Sequence, residues 1–150
     1  MPNTIIIGSG SCIPAKIIGR EYFKDSVFYT DEGEKIDKNN DEVIQKFVEI
    51  TEIENRRYLE DDEFNSDLGF RAAKDAIADA KVDQEDLDYI IYASNFGDVD
   101  LNGMTNFMPS MSSRVKHKLG ISNRKCVNYD MIFGCPGWVE AMILADTLIK

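Results

Sequence analysis

Lys125-Cys126-Val127-Asn128-Tyr129-Asp130-Met131-Ile132-Phe133-Gly134-Cys135-Pro136-Gly137-Trp138 is the stretch that decides how this chain folds. Its opening, Lys125 to Tyr129, predicts a short strand with Cys126 turned toward the core. Beyond it, Val139, Met142, Ile143, Ala145 and Leu148 recur at helical spacing and predict a helix over 137–149. A thiol therefore sits where a strand gives way to a helix. Gly134 permits a sharp turn, and Gly137 leaves room for close approach of backbone or substrate. Pro136 suits the first helical turn, where its missing N–H is no loss.

Toward the N-terminus the same alternation repeats. Gly120 ends a helix predicted over 109–119, with Pro109 as its first residue. Residues 95–108 read as a long loop rich in Asn, Gly, Asp and Met, and loops of that length are often functional. Leu87 to Ser94 predicts a strand whose apolar run, Tyr89-Ile90-Ile91-Tyr92-Ala93, suits burial on both faces. Ser66 caps a helix predicted over 67–81, lined by Ala72, Ala73, Ala76 and Ala80 for close packing against a sheet. Residues 51–58 read as a polar connector and 41–49 as a helix carrying Val43, Ile44, Phe47 and Val48. Residues 31–42 form a solvated acidic loop, which lacks the spacing and central Gly of an EF-hand. Thr4 to Ile7 predicts a buried strand closed by Gly8-Ser9-Gly10. That glycine pair lacks the third member of a dinucleotide fingerprint, and Pro14 follows it. The expected class is α/β: a mixed, largely parallel sheet with helices on both faces.

Composition narrows the function. The 150 residues are 43% hydrophobic, enough for one packed domain. Seventeen Lys and Arg against 27 Asp and Glu leave a net charge of −10. That balance argues against nucleic acid or an anionic membrane as partner. No apolar run approaches the roughly 18–20 residues of a membrane-spanning helix. Met1 to Thr4 offers no basic n-region for a signal peptide. The cysteines, Cys12, Cys126 and Cys135, are odd in number and lack CxxC spacing. The expectation is therefore no disulfide framework, no metal, and reduced thiols in the cytoplasm.

Of the three thiols, only Cys135 has a setting for chemistry. Free amides and the positive dipole end of a helix favour a thiolate and can help hold an oxyanion. The placement is that of a nucleophile at a strand-to-helix turn, with Cys in place of Ser. Such a nucleophile usually works with a His. His117 is flanked by Arg114, Lys116 and Lys118 near a helix end, a solvated basic face rather than a base for Cys135. The chain thus offers a nucleophile without its base.

Taken in order, these features resemble the N-terminal half of a β-ketoacyl-(acyl-carrier-protein) synthase III, a thiolase-like condensing enzyme. Thr51-Glu52-Ile53-Glu54-Asn55-Arg56-Arg57 resembles the family's Thr-Gly-Ile-x-x-Arg-Arg. Ser66-Asp67-Leu68 with Ala72-Ala73 is similar to the helix that follows, and Leu87 to Ser94 to the aspartate-led strand. Pro109-Ser110 and Leu119-Gly120 match the next helix and its end, and Asp130 to Gly137 resembles the Asp-x-x-x-x-Cys-x-Gly element carrying the active cysteine.

The resemblance implies a thiolase-like fold of two similar halves, with residues 1–150 the first and the second absent. It implies a homodimer joined through the strand before Cys135. The implied reaction is a decarboxylative Claisen condensation at the start of fatty acid biosynthesis. Cys135 takes an acyl group from acyl-CoA or another acyl thioester. A malonyl group on acyl carrier protein then loses CO2 and attacks the acyl-enzyme, with a His and an Asn supplied by the second half. Those thioesters are substrates, and no separate cofactor is implied. Phe107 and Met108 are implied as lining of the acyl tunnel across the dimer, and Arg56 and Arg57 as contacts to carrier protein or coenzyme A.

Departures from the pattern point to a divergent member. Lys46 and Ile50 stand where the family often has a Trp and an Arg that contact the adenine of coenzyme A. Glu52 replaces a Gly, Pro136 replaces a small residue, and the 95–108 loop is longer than usual. One alternative is therefore a condensing enzyme of secondary metabolism. Another is a non-catalytic module that dimerises or binds a carrier protein through a basic patch. Arg56-Arg57, or Arg114 with Lys116 and Lys118, would form that patch, against solvated charge runs as the simpler reading. The apolar helix running to Lys150 carries no stop signal, so a longer parent protein is expected.

Overall fold

The structure, a computed structural model, describes residues 4–150. The described residues divide into two compact units, one of residues 14–60 and one joining residues 4–13 to 61–150.

In the smaller unit, β1 (Lys16–Gly19) pairs antiparallel with a later strand through Lys16 opposite Tyr58. Helix α1 (Asn40–Thr51) starts where the Asn39 side chain accepts from the Asp41 N–H at 2.8 Å. It buries Val43 and Ile44. Glu52 ends it at φ +56°, the left-handed conformation that favours glycine at this position. Strand β2 (Asn55–Tyr58) is the partner of β1 and occupies what reads in sequence as a connector. Its Asn-Arg-Arg-Tyr composition hides the strand, because the ladder and β1's Ile18, not an apolar face of its own, hold it.

In the larger unit the order is α2 (Asn65–Ala80), β3 (Tyr89–Ser94), β4 (Asp98–Val99), β5 (Thr105–Asn106), α3 (Met111–Leu119), β6 (Val127–Ile132) and α4 (Gly137–Ile149). Strands β3 and β6 run parallel, with Tyr89 opposite Val127 and Ser94 opposite Ile132. Helices lie on both faces of this pair. On one side the Tyr92 hydroxyl donates to the Asn65 carbonyl at the start of α2, and Asn128 donates to Ser113 of α3. On the other, a Cβ on Gly137 of α4 would sit 3.6 Å from that of Ala93. Met111, Val115, Ile121 and Cys126 are buried at the centre. Among the described residues β3–β6 is the parallel ladder, whereas β1–β2 and β4–β5 are antiparallel. The ladders form three two-stranded pieces, of which β3–β6, with helices on both faces, carries the expected parallel pairing.

Several element boundaries differ from the sequence reading. Helix α3 begins at Met111, because the Ser110 hydroxyl caps it by accepting from the Ser113 N–H, which leaves Pro109 outside. Helix α2 begins before Ser66. Asp67 accepts from the Phe64 N–H at 2.9 Å, so the cap forms two residues earlier than expected. Strand β6 starts two residues late and runs on to Ile132.

Ile5, Ile6 and Ile7 are exposed rather than buried and make no ladder. Their segment instead lies along α2, where Ser9 N–H donates to Asp79 and a Cβ on Gly8 would meet the Ala76 carbonyl at 2.5 Å. The alanine stripe of α2 therefore receives this glycine segment.

Candidate active site

Two loops leave the parallel pair at the C-terminal ends of β3 and β6. The Phe133 N–H donates to the Ser94 carbonyl at 3.1 Å, so the loops depart side by side. In open α/β sheets this end is where ligands bind.

The β6 loop carries Cys135. The turn closes through Gly137 N–H to the Gly134 carbonyl at 2.9 Å, and Cys135 is exposed on it. Pro136, at φ −82° and ψ 4°, is the residue before the helix, and Gly137 is the first helical residue. The Pro136 carbonyl accepts from Glu140 N–H at 3.0 Å, which starts the helix at Gly137 as expected. Gly137 is needed for close packing, because a Cβ there would lie 3.2 Å from that of Phe133. Gly134 is not held to glycine in this way, since nothing lies within 4 Å of its Cβ position. The Gly137 N–H is committed to Gly134, so any oxyanion would draw on other amides of the turn. Cys126 is buried, and burial pushes its thiol up. Cys12 is half-buried on the segment along α2.

The β3 loop, expected to be irregular, contains the β4–β5 hairpin. Asp98 opposes Asn106, and Val99 opposes Thr105. Asp100 organises the tip by accepting from Asn102 N–H at 2.8 Å and Met104 N–H at 2.9 Å. These contacts hold its carboxyl below the usual range. Gly97 enters the hairpin at φ +71°, with the Asn106 carbonyl 3.1 Å from its Cβ position. Asn102-Gly103 was the turn signal available in the sequence.

Beneath the hairpin lies a dense polar network. Asp98 is 3% exposed and accepts from both the N–H and the hydroxyl of Ser66, each at 2.8 Å. Arg114 of α3 completes the set at 2.5 Å. Asp130 accepts from the Met111 and Ser112 N–H groups at the start of α3, at 2.6 and 2.8 Å. Tyr92 lies nearby, and burial first, then the charges of Asp98 and Asp130, pushes its hydroxyl up to about 12. Phe107 and Met108 follow β5 and are exposed, Met108 at 78%.

The basic residues divide unexpectedly. Arg114 is held in the network just described, Lys116 donates to the Cys126 carbonyl at 2.8 Å, and Lys118 pairs with Asp67. All three are engaged within the fold, so they form neither a free patch nor a simple solvated run. His117, between them, is exposed in the last turn of α3. In the smaller unit, Arg57 donates to the Ala15 carbonyl at 3.2 Å, and Arg56 lies over the Phe23 ring at 5.3 Å. Arg56 and Arg20 also line an apolar cavity of about 320 Å3 with Phe23, Phe28, Ile44 and Phe47.

Comparison with known proteins places this arrangement. No family model matches the chain. It is 32% identical over 148 residues to β-ketoacyl-[acyl-carrier-protein] synthase III of Staphylococcus aureus, spanning 99% of this chain and 40% of that protein. The corresponding synthase III of Thermus thermophilus superposes with a TM-score of 0.70 at 27% identity, over 97% of this chain and 38% of its own. A 3-oxoacyl-(acyl-carrier protein) synthase of Burkholderia xenovorans shares the fold at a TM-score of 0.76 and 20% identity, covering 99% and 37%. OleA of Xanthomonas campestris does so at 0.74 and 18%, covering 99% and 39%. The fold is therefore the thiolase-like one of these enzymes, and the chain spans about 40% of the length of the curated relatives it matches.

Proposed function

Starting from a chain homologous to part of β-ketoacyl-[acyl-carrier-protein] synthase III, we propose that Cys135 is the acyl-accepting nucleophile of a decarboxylative condensing enzyme. The observation that carries this reading is the placement of Cys135. It is exposed on a tight turn at the C-terminal end of β6, separated from α4 by Pro136 alone. In the first half-reaction the Cys135 thiolate attacks the carbonyl of an acyl thioester, and the donor leaves as its thiol. A malonyl group on acyl carrier protein then loses CO2. The resulting carbanion attacks the acyl-Cys135 carbonyl, and Cys135 leaves as thiolate with a 3-oxoacyl product.

The remaining parts follow from the same reading. The His and Asn of the second step come from a further half of the parent protein, which acts in the cytoplasm as a homodimer and needs only its thioester substrates. Phe107 and Met108 line the acyl path. Arg56, beside its apolar cavity, contacts coenzyme A or the carrier protein, whereas Arg57 is engaged with the Ala15 carbonyl.

The β4–β5 hairpin favours a second reading, a condensing enzyme with a specialised acyl donor, because it adds structure where the acyl chain would lie. A donor panel separates the two: preference for short acyl-CoA with malonyl-carrier protein selects the first.

The primary test is intact-mass spectrometry of the full-length wild type and Cys135→Ala after incubation with acyl-CoA. Adduct on the wild type alone is expected. Adduct on both proteins, or on neither, contradicts the proposal.

A further inference from the structure

Resting on the proposal that Phe107 and Met108 line the acyl path, we infer that Arg114 is the positioning residue that sets this lining and with it the acyl-chain preference. Its guanidinium uses all three nitrogens on the two ends of one hairpin. At the entry, Nη1 donates to Asp98 Oδ2 at 2.5 Å. At the exit, Nη2 donates to the Met108 carbonyl at 3.1 Å, and Nε to the Pro109 carbonyl at 2.8 Å.

Both anchors are themselves fixed. Asp98 is tied to α2 through the N–H and hydroxyl of Ser66. Arg114 rises from α3, where Met111, Ser112 and Val115 are fully buried. The hairpin therefore has a rigid root, while its apolar side chains Leu101, Met104 and Met108 face outward. The carbonyl that Arg114 holds belongs to Met108, next to Phe107, so this fork, together with the Met108 N–H donated to Asn106 at 3.1 Å, fixes the backbone from which both side chains project. A lysine could keep the charge opposite Asp98, but its single ammonium cannot hold the planar, three-way geometry.

The pairing also explains why a charged residue is buried here. Asp98 and Arg114 satisfy one another and leave little of either charge unpaired. An apolar pair would hold β4 against α3 but would give the loop no fixed exit.

The test uses the full-length protein and a series of acyl-CoA donors from acetyl to dodecanoyl, reading the rate of acyl loading on Cys135. Arg114→Lys is expected to change the ratio of long-chain to short-chain loading about tenfold, the scale at which small changes in a pocket discriminate substrates. Alkylation of Cys135 by iodoacetamide should stay at the wild-type rate. Phe107→Ala and Met108→Ala, at exposed positions that do not threaten folding, should shift the same ratio. A uniform fall across all donors in Arg114→Lys would mark a merely structural residue and overturn the inference. An unchanged ratio in all three variants would also overturn it. Should Arg114→Lys fail to fold, the Phe107 and Met108 variants decide alone. Absence of loading in the wild type would instead overturn the functional reading on which the inference rests.

Discussion

Two loops leave the same end of one parallel strand pair, and they are built in opposite ways. The β3 loop folds into a hairpin rooted in Asp98, Ser66 and Arg114, with its tip tied by Asp100. The β6 loop is a short turn closed by one backbone bond, and it leaves Cys135 exposed. The contrast fits a division of labour. A nucleophile needs access and a fixed neighbouring helix, while a wall that selects substrates needs a fixed shape.

The largest effect should come from the root of the hairpin. Arg114→Met leaves the buried Asp98 carboxylate without its cation and should cost about 3–5 kcal/mol in chemical denaturation. Gly97→Ala should follow, at about 1–3 kcal/mol, because φ is +71° and the Asn106 carbonyl crowds the new methyl group. A loss under about 0.5 kcal/mol in either variant would show that the hairpin is not anchored as described.

A pH series sharpens the same contrast. Burial raises the Asp67 carboxyl, but Lys118 and the Phe64 N–H outweigh it, and the net shift is downward. A carboxyl depressed in the folded state contributes stability that is present above its unfolded value and lost as pH falls through the folded one. Melting temperature should therefore drop as pH falls from about 4, and less steeply in Asp67→Asn. Parallel curves for the two proteins would remove Asp67 from the account. The smallest effect belongs to the Cys135 turn. Gly134→Ala should stay within about 0.5 kcal/mol of wild type, because open space surrounds its Cβ position and its φ is not in the left-handed region.

The sequence made the Cys135 turn and its flanking helix legible, since α4 spans Gly137–Ile149 as its apolar spacing predicts. Local signals sufficed there: a glycine pair around the thiol and a helical stripe after it. The hairpin was less visible because its strands are two residues long and its root is assembled from Ser66, Asp98 and Arg114, far apart in the chain. Arg114 read as part of a basic run because a sequence does not show which charge a fold turns inward. Strand β2 was missed for a related reason, since arginines occupy a ladder that apolar alternation would normally announce. The N-terminal isoleucines misled in the other direction. Gly8 and Gly10 press their segment against α2, and the run that looks like a buried strand is left exposed.

The most direct test of the central claim is peptide mapping of the full-length protein after brief exposure to an acyl-CoA, with tandem mass spectrometry to locate the thioester. The account predicts the acyl group on Cys135, the one exposed thiol of the three, with Cys12 and Cys126 unmodified. Acylation at Cys12 or Cys126 with Cys135 free would contradict it.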